Sequence, residues 1–329
     1  MNKESLSIVS FHPILKHRIW GGKKLMQHFG KKSEQPDQIG ESWEVSNVHG
    51  DVSVVASGKF EGRTLTELVE TYQEDFLGPK AWKRFGTDFP ILIKFIDADK
   101  DLSVQLHPDD TIARKKHNSF GKTEMWYVMG ADKNAKLVTG FEDGITLKKY
   151  KEHVDSGTLE SVLNYEPVTA GDTFFIAPGT VHAIGEGVVI AEIQQTSDVT
   201  YRIYDYNRTD AQGNTRELHQ EEALDAINFS ARPEECKVSY ARSENKPVSL
   251  VSCPYFTTVL LELDQNTELS HTDMDSFVIY MCVGGSATVQ DASTQIDIRT
   301  GQTVLVPAAV KEIKVNTNGV KLLQVHIES

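Results

Sequence analysis

Two stretches of the chain repeat one another. Residues 169–184, TAGDTFFIAPGTVHAI, align with residues 299–313, RTGQTVLVPAAVKEI, when one residue is dropped before the proline. Gly171 then falls on Gly301, Thr173 on Thr303 and Pro178 on Pro307. Each copy reads as a strand, a proline turn and a returning strand, and such self-similarity marks a unit used more than once. Two related β-barrels are therefore expected. Four residues past the proline, the first copy has His182 and the second Lys311.

The remaining sequence fits a mainly β chain. Runs such as DVSVVAS, PILIKFIDA, LSVQLHP, EMWYVMGA, VVIAEIQQ and VTYRIYDY are mostly bounded by Gly, Pro, Asn or Asp, the texture of an all-β sandwich or barrel. Helices interrupt them. TLTELVETYQEDFLG opens with Thr64 and Glu67 at capping-box spacing and is expected to close at Gly78. A second helical excursion is expected near 147–164, with further helices in HPDDTIARKKH and ELHQEEALDAINFS. From about residue 233 the texture turns to nearly pure strand. The predicted organisation is a larger β domain with helical insertions over 1–235 and a smaller β domain over 236–329.

Composition narrows the partners. A formal net charge of −13 argues against a nucleic-acid groove, which needs a basic field. An anionic small substrate would need local cations, because the field of the whole molecule repels it. No apolar run reaches the roughly 18 residues that span a bilayer, and MNKESLSIVSFHP lacks the apolar stretch of a signal peptide. Cys236, Cys253 and Cys282 are odd in number and follow no metal-site spacing, as expected of free thiols in a reducing cytoplasm. The expectation is a cytoplasmic protein with neither a membrane nor a nucleic-acid partner; oligomeric state is left open.

One strand carries chemistry on its face. In LSVQLHPDD, Leu102, Val104 and Leu106 alternate with Ser103, Gln105 and His107, so an apolar face backs a polar one. Leaving such groups buried without partners costs about 1–3 kcal/mol each. His107, Glu124 and His182 all lie on or beside strand-like segments, and two imidazoles with a carboxylate suit a borderline divalent cation such as Zn²⁺, with Fe²⁺ or Mn²⁺ as alternatives. Gln105, on the same face as His107, could add an amide oxygen. Glu192 and Gln194 share a strand face, as do Thr200, Arg202 and Tyr204 on the next strand; an arginine beside a metal can stabilise developing negative charge. Lys122, two residues before Glu124, could hold a phosphate as a point charge. WGGKKL lacks the glycine spacing of a phosphate-binding loop, and no Ser/His/Asp nucleophile signature is evident.

Taken together, WGG (20–22), IGESWEVS (39–46), LSVQLHPDD, GKTEMWYV, APGTVHAIG and EIQQTSDVTYRIYDYNR resemble type I mannose-6-phosphate isomerases in their short bacterial form, a family of the cupin superfamily. The resemblance spans nearly the whole chain. It implies a double-cupin fold and one zinc ion per chain. His107, Glu124 and His182 would be the zinc ligands, with Gln105 in the place of a fourth. Arg202 would be the active-site arginine and Glu192 an acid of the same pocket. Ser103 and Lys122 would meet the substrate phosphate, Trp20 and Glu41 would line the pocket, and Arg208 stands where longer relatives carry a lysine. Lys311 in place of a ligand implies a second barrel free of metal. The implied reaction converts D-mannose 6-phosphate to D-fructose 6-phosphate through a cis-enediol, with a sugar phosphate as the small-molecule partner. Two other readings rest on the same residues: a metal-dependent oxygenase, in which three protein ligands and open positions serve iron and O₂, and a non-catalytic sugar-phosphate sensor.

Overall fold

Successive side chains of a strand point to opposite faces, and in the N-terminal half both faces find a core. Along the strand Ile91–Asp97, Ile91, Ile93 and Phe95 enter one core, while Leu92, Lys94 and Ile96 face the other side. A strand buried on both faces reads as continuously apolar, which is why PILIKFIDA looks like protein interior throughout. In the computed structural model, which describes residues 4–209 and 212–327, the chain is mainly β. Seven strands form an antiparallel sheet in the order Ile14–Gly22, Ile39–Val45, Ile91–Asp97, Val188–Gln195, Glu124–Ala131, Thr173–Ile176, Lys237–Val238. A five-stranded sheet packs on it, ordered Tyr201–Tyr204, Val104–Leu106, His182–Ile184, Lys136–Phe141, Leu163–Pro167. Trp20, Trp126, Phe174 and Ile190 of the first sheet share a core with Leu137 and Ile184 of the second.

The C-terminal strands, from Val248–Ser252 to Val320–His326, form an eight-stranded sheet curled around Leu261, Tyr280, Val289, Ile298 and Val304. Its outer face packs on the back of the seven-stranded sheet, so that Ile93, Phe95 and Ile193 share one core with Ile279, Leu305 and Leu323. The chain also crosses between the two halves. Val9 bridges to Leu305, and Ser7 Oγ donates to Asp291 Oδ2 at 2.8 Å. Among the described residues, no helix is long and apolar enough to cross a membrane.

Thr64 and Glu67 form the expected capping box. The helix it opens ends at Tyr72 rather than Gly78, because Gln73 turns to a φ of 50°. The chain continues as two short helices, Glu74–Leu77 and Pro79–Phe85. Gly78, at φ 93°, permits that corner: a Cβ there would meet the Asp275 carbonyl oxygen at 2.6 Å. The carbonyls of Asp75 and Phe76 accept from Ala309 and Ala308 at 2.8 and 3.0 Å, so this excursion covers a turn of the second barrel. The expected excursion near 147–164 forms the helix Leu147–Asp155 and a 3₁₀ turn, Leu159–Val162.

The internal repeat is present, but without the dropped residue. Gly171 N–H donates to Val128 and Gly301 N–H to Cys282, both at 2.8 Å. The following turns close from Thr180 to Ala177 and from Val310 to Pro307, which sets Ala177, not Pro178, opposite Pro307. Proline fits either of two adjacent turn positions, so matching the prolines misleads. The counterpart of His182 is Glu312, not Lys311; each opens the returning strand.

Candidate metal centre and substrate cavity

The polar row on LSVQLHP faces the space between the two N-terminal sheets. Val104 and Leu106 sit in the outer core, so Ser103, Gln105 and His107 point the other way. Glu124 opens its strand opposite Ile176 and Gln194, and His182 opens its strand opposite Gln105. The turn before His182 is tied to His107, since Gly179 N–H donates to the His107 carbonyl at 2.9 Å. Among the described residues, His107, Glu124 and His182 are the one group of potential metal-binding side chains this close, with ligand atoms all within 4.8 Å of one another and all three residues buried.

The hydrogen bonds fix the tautomer of each imidazole. His107 Nδ1 lies 2.9 Å from the Val199 carbonyl and His182 Nδ1 2.9 Å from that of Thr180. A carbonyl only accepts, so each Nδ1 carries the hydrogen and each Nε2 presents a lone pair. Burial lowers both imidazole pKa values, that of His182 to about 4 and that of His107 well below its usual value. The Nε2 atoms nevertheless lie 3.4 Å from Glu124 Oε2 and Oε1 respectively. Acceptor faces acceptor, and the buried Oε2 has no hydrogen bond. Burial also pushes the Glu124 carboxyl up to about 7, against the pull of Lys122. The Lys122 ammonium, 3.2 Å from His107 Nε2 and 3.4 Å from Glu124 Oε2, supplies only part of the missing positive charge. Two imidazole nitrogens and a carboxylate oriented this way fit a borderline divalent cation. Gln105 Nε2 is 3.5 Å from His182 Nε2, and turning the amide over would bring its oxygen to the same place.

A cavity of about 530 Å³ opens beside this cluster. Trp20, Trp43 and Trp126 supply apolar wall, and Glu41, Lys94 and Glu192 lie between them. Lys94 Nζ is 3.0 Å from Glu192 Oε2, and Trp126 Nε1 donates to Glu192 Oε1 at 3.0 Å. Arg18 Nε and Trp43 Nε1 donate to Glu41 at 2.9 and 2.5 Å. Burial disfavours each of these charges, but their partners outweigh it. Lys94 and Arg18 bring Glu41 down to about 2, Lys94 lowers Glu192, and the two acids raise Lys94. Glu192 is therefore held as an oriented carboxylate on the cavity wall.

The sequence-predicted residues do not all converge. Ser103, Gln105, Lys122, Glu124, His182, Glu192, Trp20 and Glu41 meet at the cavity, as do Thr200 and Arg202, with His107 in the candidate ion-binding group. Arg202 Nε donates to Ser103 Oγ at 3.3 Å and Nη1 to the Glu217 carbonyl at 2.9 Å. A bulge between Arg202 and Tyr204 breaks the expected shared face, and the Tyr204 hydroxyl bonds to Glu160 instead. Arg208 is outside the wall, bound to Asp205 and the Asp101 carbonyl; Arg216 lines the wall in its stead. Lys94 had a signal that went unread: a lysine inside an apolar run must find a counter-ion once buried. Arg216 lies in a polar loop and had none.

The second barrel repeats this scaffold with other side chains. By ladder register Val278 stands in the place of Glu124, and Tyr280 and Gln324 in those of Trp126 and Glu192. The Tyr280 hydroxyl bonds to Gln324 at 3.2 Å, echoing the Trp126–Glu192 contact.

Residues 8–149 match the family profile "Phosphomannose isomerase type I, catalytic domain", and residues 247–327 match "Mannose-6-phosphate isomerase, cupin domain". The chain is 34% identical over 306 residues to mannose-6-phosphate isomerase ManA of Bacillus subtilis, covering 92% of this chain and 94% of the relative. It resembles the crystal structure of the mannose 6-phosphate isomerase from Bacillus subtilis with a TM-score of 0.88 and 30% identity, over 98% of this chain and 100% of that one. The fold is also shared, at a TM-score of 0.76 and 17% identity over 98% of this chain and 100% of the other, with a mannose 6-phosphate isomerase solved with zinc and yttrium.

Proposed function

The chain belongs to the type I phosphomannose isomerase family and is an aldose–ketose isomerase, and from that premise we propose that it interconverts D-mannose 6-phosphate and D-fructose 6-phosphate through a cis-enediol, using one zinc ion held by His107, Glu124 and His182 with Gln105 in reach. The observation that supports the metal is the facing of acceptors: two neutral Nε2 lone pairs turned on a buried carboxylate whose Oε2 lacks a hydrogen bond. The zinc in a structural neighbour agrees with it. When bound, the ion would supply Lewis-acid charge that stabilises negative charge developing on the substrate.

The remaining work falls to side chains. Glu192, kept ionised by Lys94 and oriented by Trp126, takes the proton from C2 of the aldose. The C–H electron pair becomes the C1=C2 bond, and the carbonyl oxygen at C1 takes up a proton. Return of a proton to C1, with loss of the hydroxyl proton at C2, gives the ketose. A base at fixed distance from both carbons can serve each direction. Arg202 adds a fixed positive charge near the oxygens where negative charge develops, in a partly water-excluded site where such charge acts strongly. The tryptophan walls limit water around the enediol.

The experiment is turnover of mannose 6-phosphate in heavy water before and after chelation. The expected result is fructose 6-phosphate formation with solvent deuterium appearing at C2 of recovered mannose 6-phosphate, both abolished by chelator and restored by zinc. Undiminished turnover by metal-free protein would overturn the metal assignment. Oxygen uptake, or tight sugar-phosphate binding without product, would favour the oxygenase or the sensor instead.

A further inference from the structure

The reacting carbons belong at the His107–Glu124–His182 end of the cavity, and the phosphoryl group sits at the other end of the sugar. Lys122 lies beside the same cluster, 3.2 Å from His107 Nε2 and 3.4 Å from Glu124 Oε2. The other cavity cations are mostly neutralised: Lys94 by Glu192, and Arg18 by Glu41. What remains is a cluster of Arg202, Arg208 and Arg216 around the single buried carboxylate of Asp205. Among the described residues, Arg202 contacts a hydroxyl and a backbone carbonyl but no carboxylate. Asp205 Oδ1 is 2.5 Å from both Arg208 Nη2 and Arg216 Nη2. Among the described residues, Arg208 and Arg216 bring two guanidinium charges to the one carboxylate of Asp205, with Arg202 nearby between Asp205 and Glu217, and the surplus suits a phosphate dianion in a chain whose net charge of −13 would otherwise repel it.

Within that cluster the hydrogen bonds single out one residue. Arg208 is tied at Nη1 to the Asp101 carbonyl and at Nη2 to Asp205, outside the cavity wall. Arg216 is in the wall, and Asp205 holds only its Nε and Nη2. Among the described residues, its Nη1 has no acceptor. A guanidinium braced by a carboxylate along one edge keeps further N–H donors in a fixed plane, the arrangement that grips phosphate oxygens in pairs.

We propose that Arg216 is the specificity-determining residue for the phosphoryl end of the substrate, oriented by Asp205. This rests on the sugar-phosphate reading of the cavity. The test compares metal-loaded wild type, Arg216→Gln and Arg216→Lys, with mannose 6-phosphate as substrate and inorganic phosphate as competitor. For Arg216→Gln, KM and the inhibition constant of phosphate both rise about 10- to 100-fold, the span expected for a lost charge-assisted pair, while kcat and bound metal stay near wild type. Arg216→Lys restores part of the loss, and it carries the test alone should the glutamine variant fail to fold. Unchanged KM and phosphate inhibition in a folded variant would overturn the proposal, and so would a fall in kcat alone. Wild type that does not isomerise mannose 6-phosphate would bring down the functional reading; active wild type with an unaffected variant brings down only the role of Arg216.

Discussion

Glu124→Gln strips the bound metal and lowers kcat/KM by about a thousandfold or more, since even groups that merely support a ligand are worth about 10- to 100-fold. The substitution keeps the shape of the side chain and removes its charge, so the cluster becomes two neutral imidazoles and an amide with nothing to balance a divalent cation. Stability should respond far less once metal is absent. In metal-free wild type, the buried carboxylate faces two lone pairs with no hydrogen bond at Oε2. The amide of the variant can donate toward one of those nitrogens and carries no charge to desolvate. Metal-free Glu124→Gln therefore melts near metal-free wild type, the relieved carboxylate being offset by the buried Lys122 ammonium that loses it, while zinc raises the melting temperature of wild type alone. Metal analysis, steady-state kinetics and melting curves with and without chelator check all three. A variant that kept its metal and near-normal turnover would contradict the ligand role.

Lys94→Met has the second largest effect. Lys94 is the ammonium between Glu192 and Glu41, buried with both. Removing one partner of a buried pair leaves an uncompensated charge and costs about 3–5 kcal/mol. Turnover is also lost, because Glu192 no longer has the cation that keeps it ionised and in place. The double variant Lys94→Met/Glu192→Gln regains much of the stability but none of the activity. Chemical denaturation of the four proteins of this cycle measures the coupling. Additive losses of stability would show that the pair does not act as a unit.

The parts of this fold legible in the sequence are those set by local rules. The alternation in LSVQLHP marked a strand with one polar face, and the Thr64–Glu67 spacing marked a helix start; both are present. The two barrels were legible because the repeat recurs in one order. What was misread depended on hydrogen bonds that sequence does not display. Matching prolines displaced the second copy by one residue, and only the turn bond from Val310 to Pro307 sets Glu312 opposite His182. The helix expected to reach Gly78 stops at Gln73, where packing against the second barrel favours a corner over helix propensity. Tyr204 leaves the cavity face because of a bulge that no residue type announces. Within the site, His107, Glu124 and His182 stood out because two imidazoles and a carboxylate among strand-like segments suit a divalent cation. Lys94 was hidden in an apolar run, and Arg216 in a polar loop whose position is set by Asp205.

The account depends above all on one ion lying among His107, Glu124 and His182. An anomalous difference map from crystals of zinc-loaded protein, collected at the zinc edge, tests this directly. A single strong peak about 2.0–2.2 Å from both imidazole Nε2 atoms and a Glu124 oxygen is the predicted result. A map with no peak there, or with its only peak elsewhere, from protein that is fully active would contradict it.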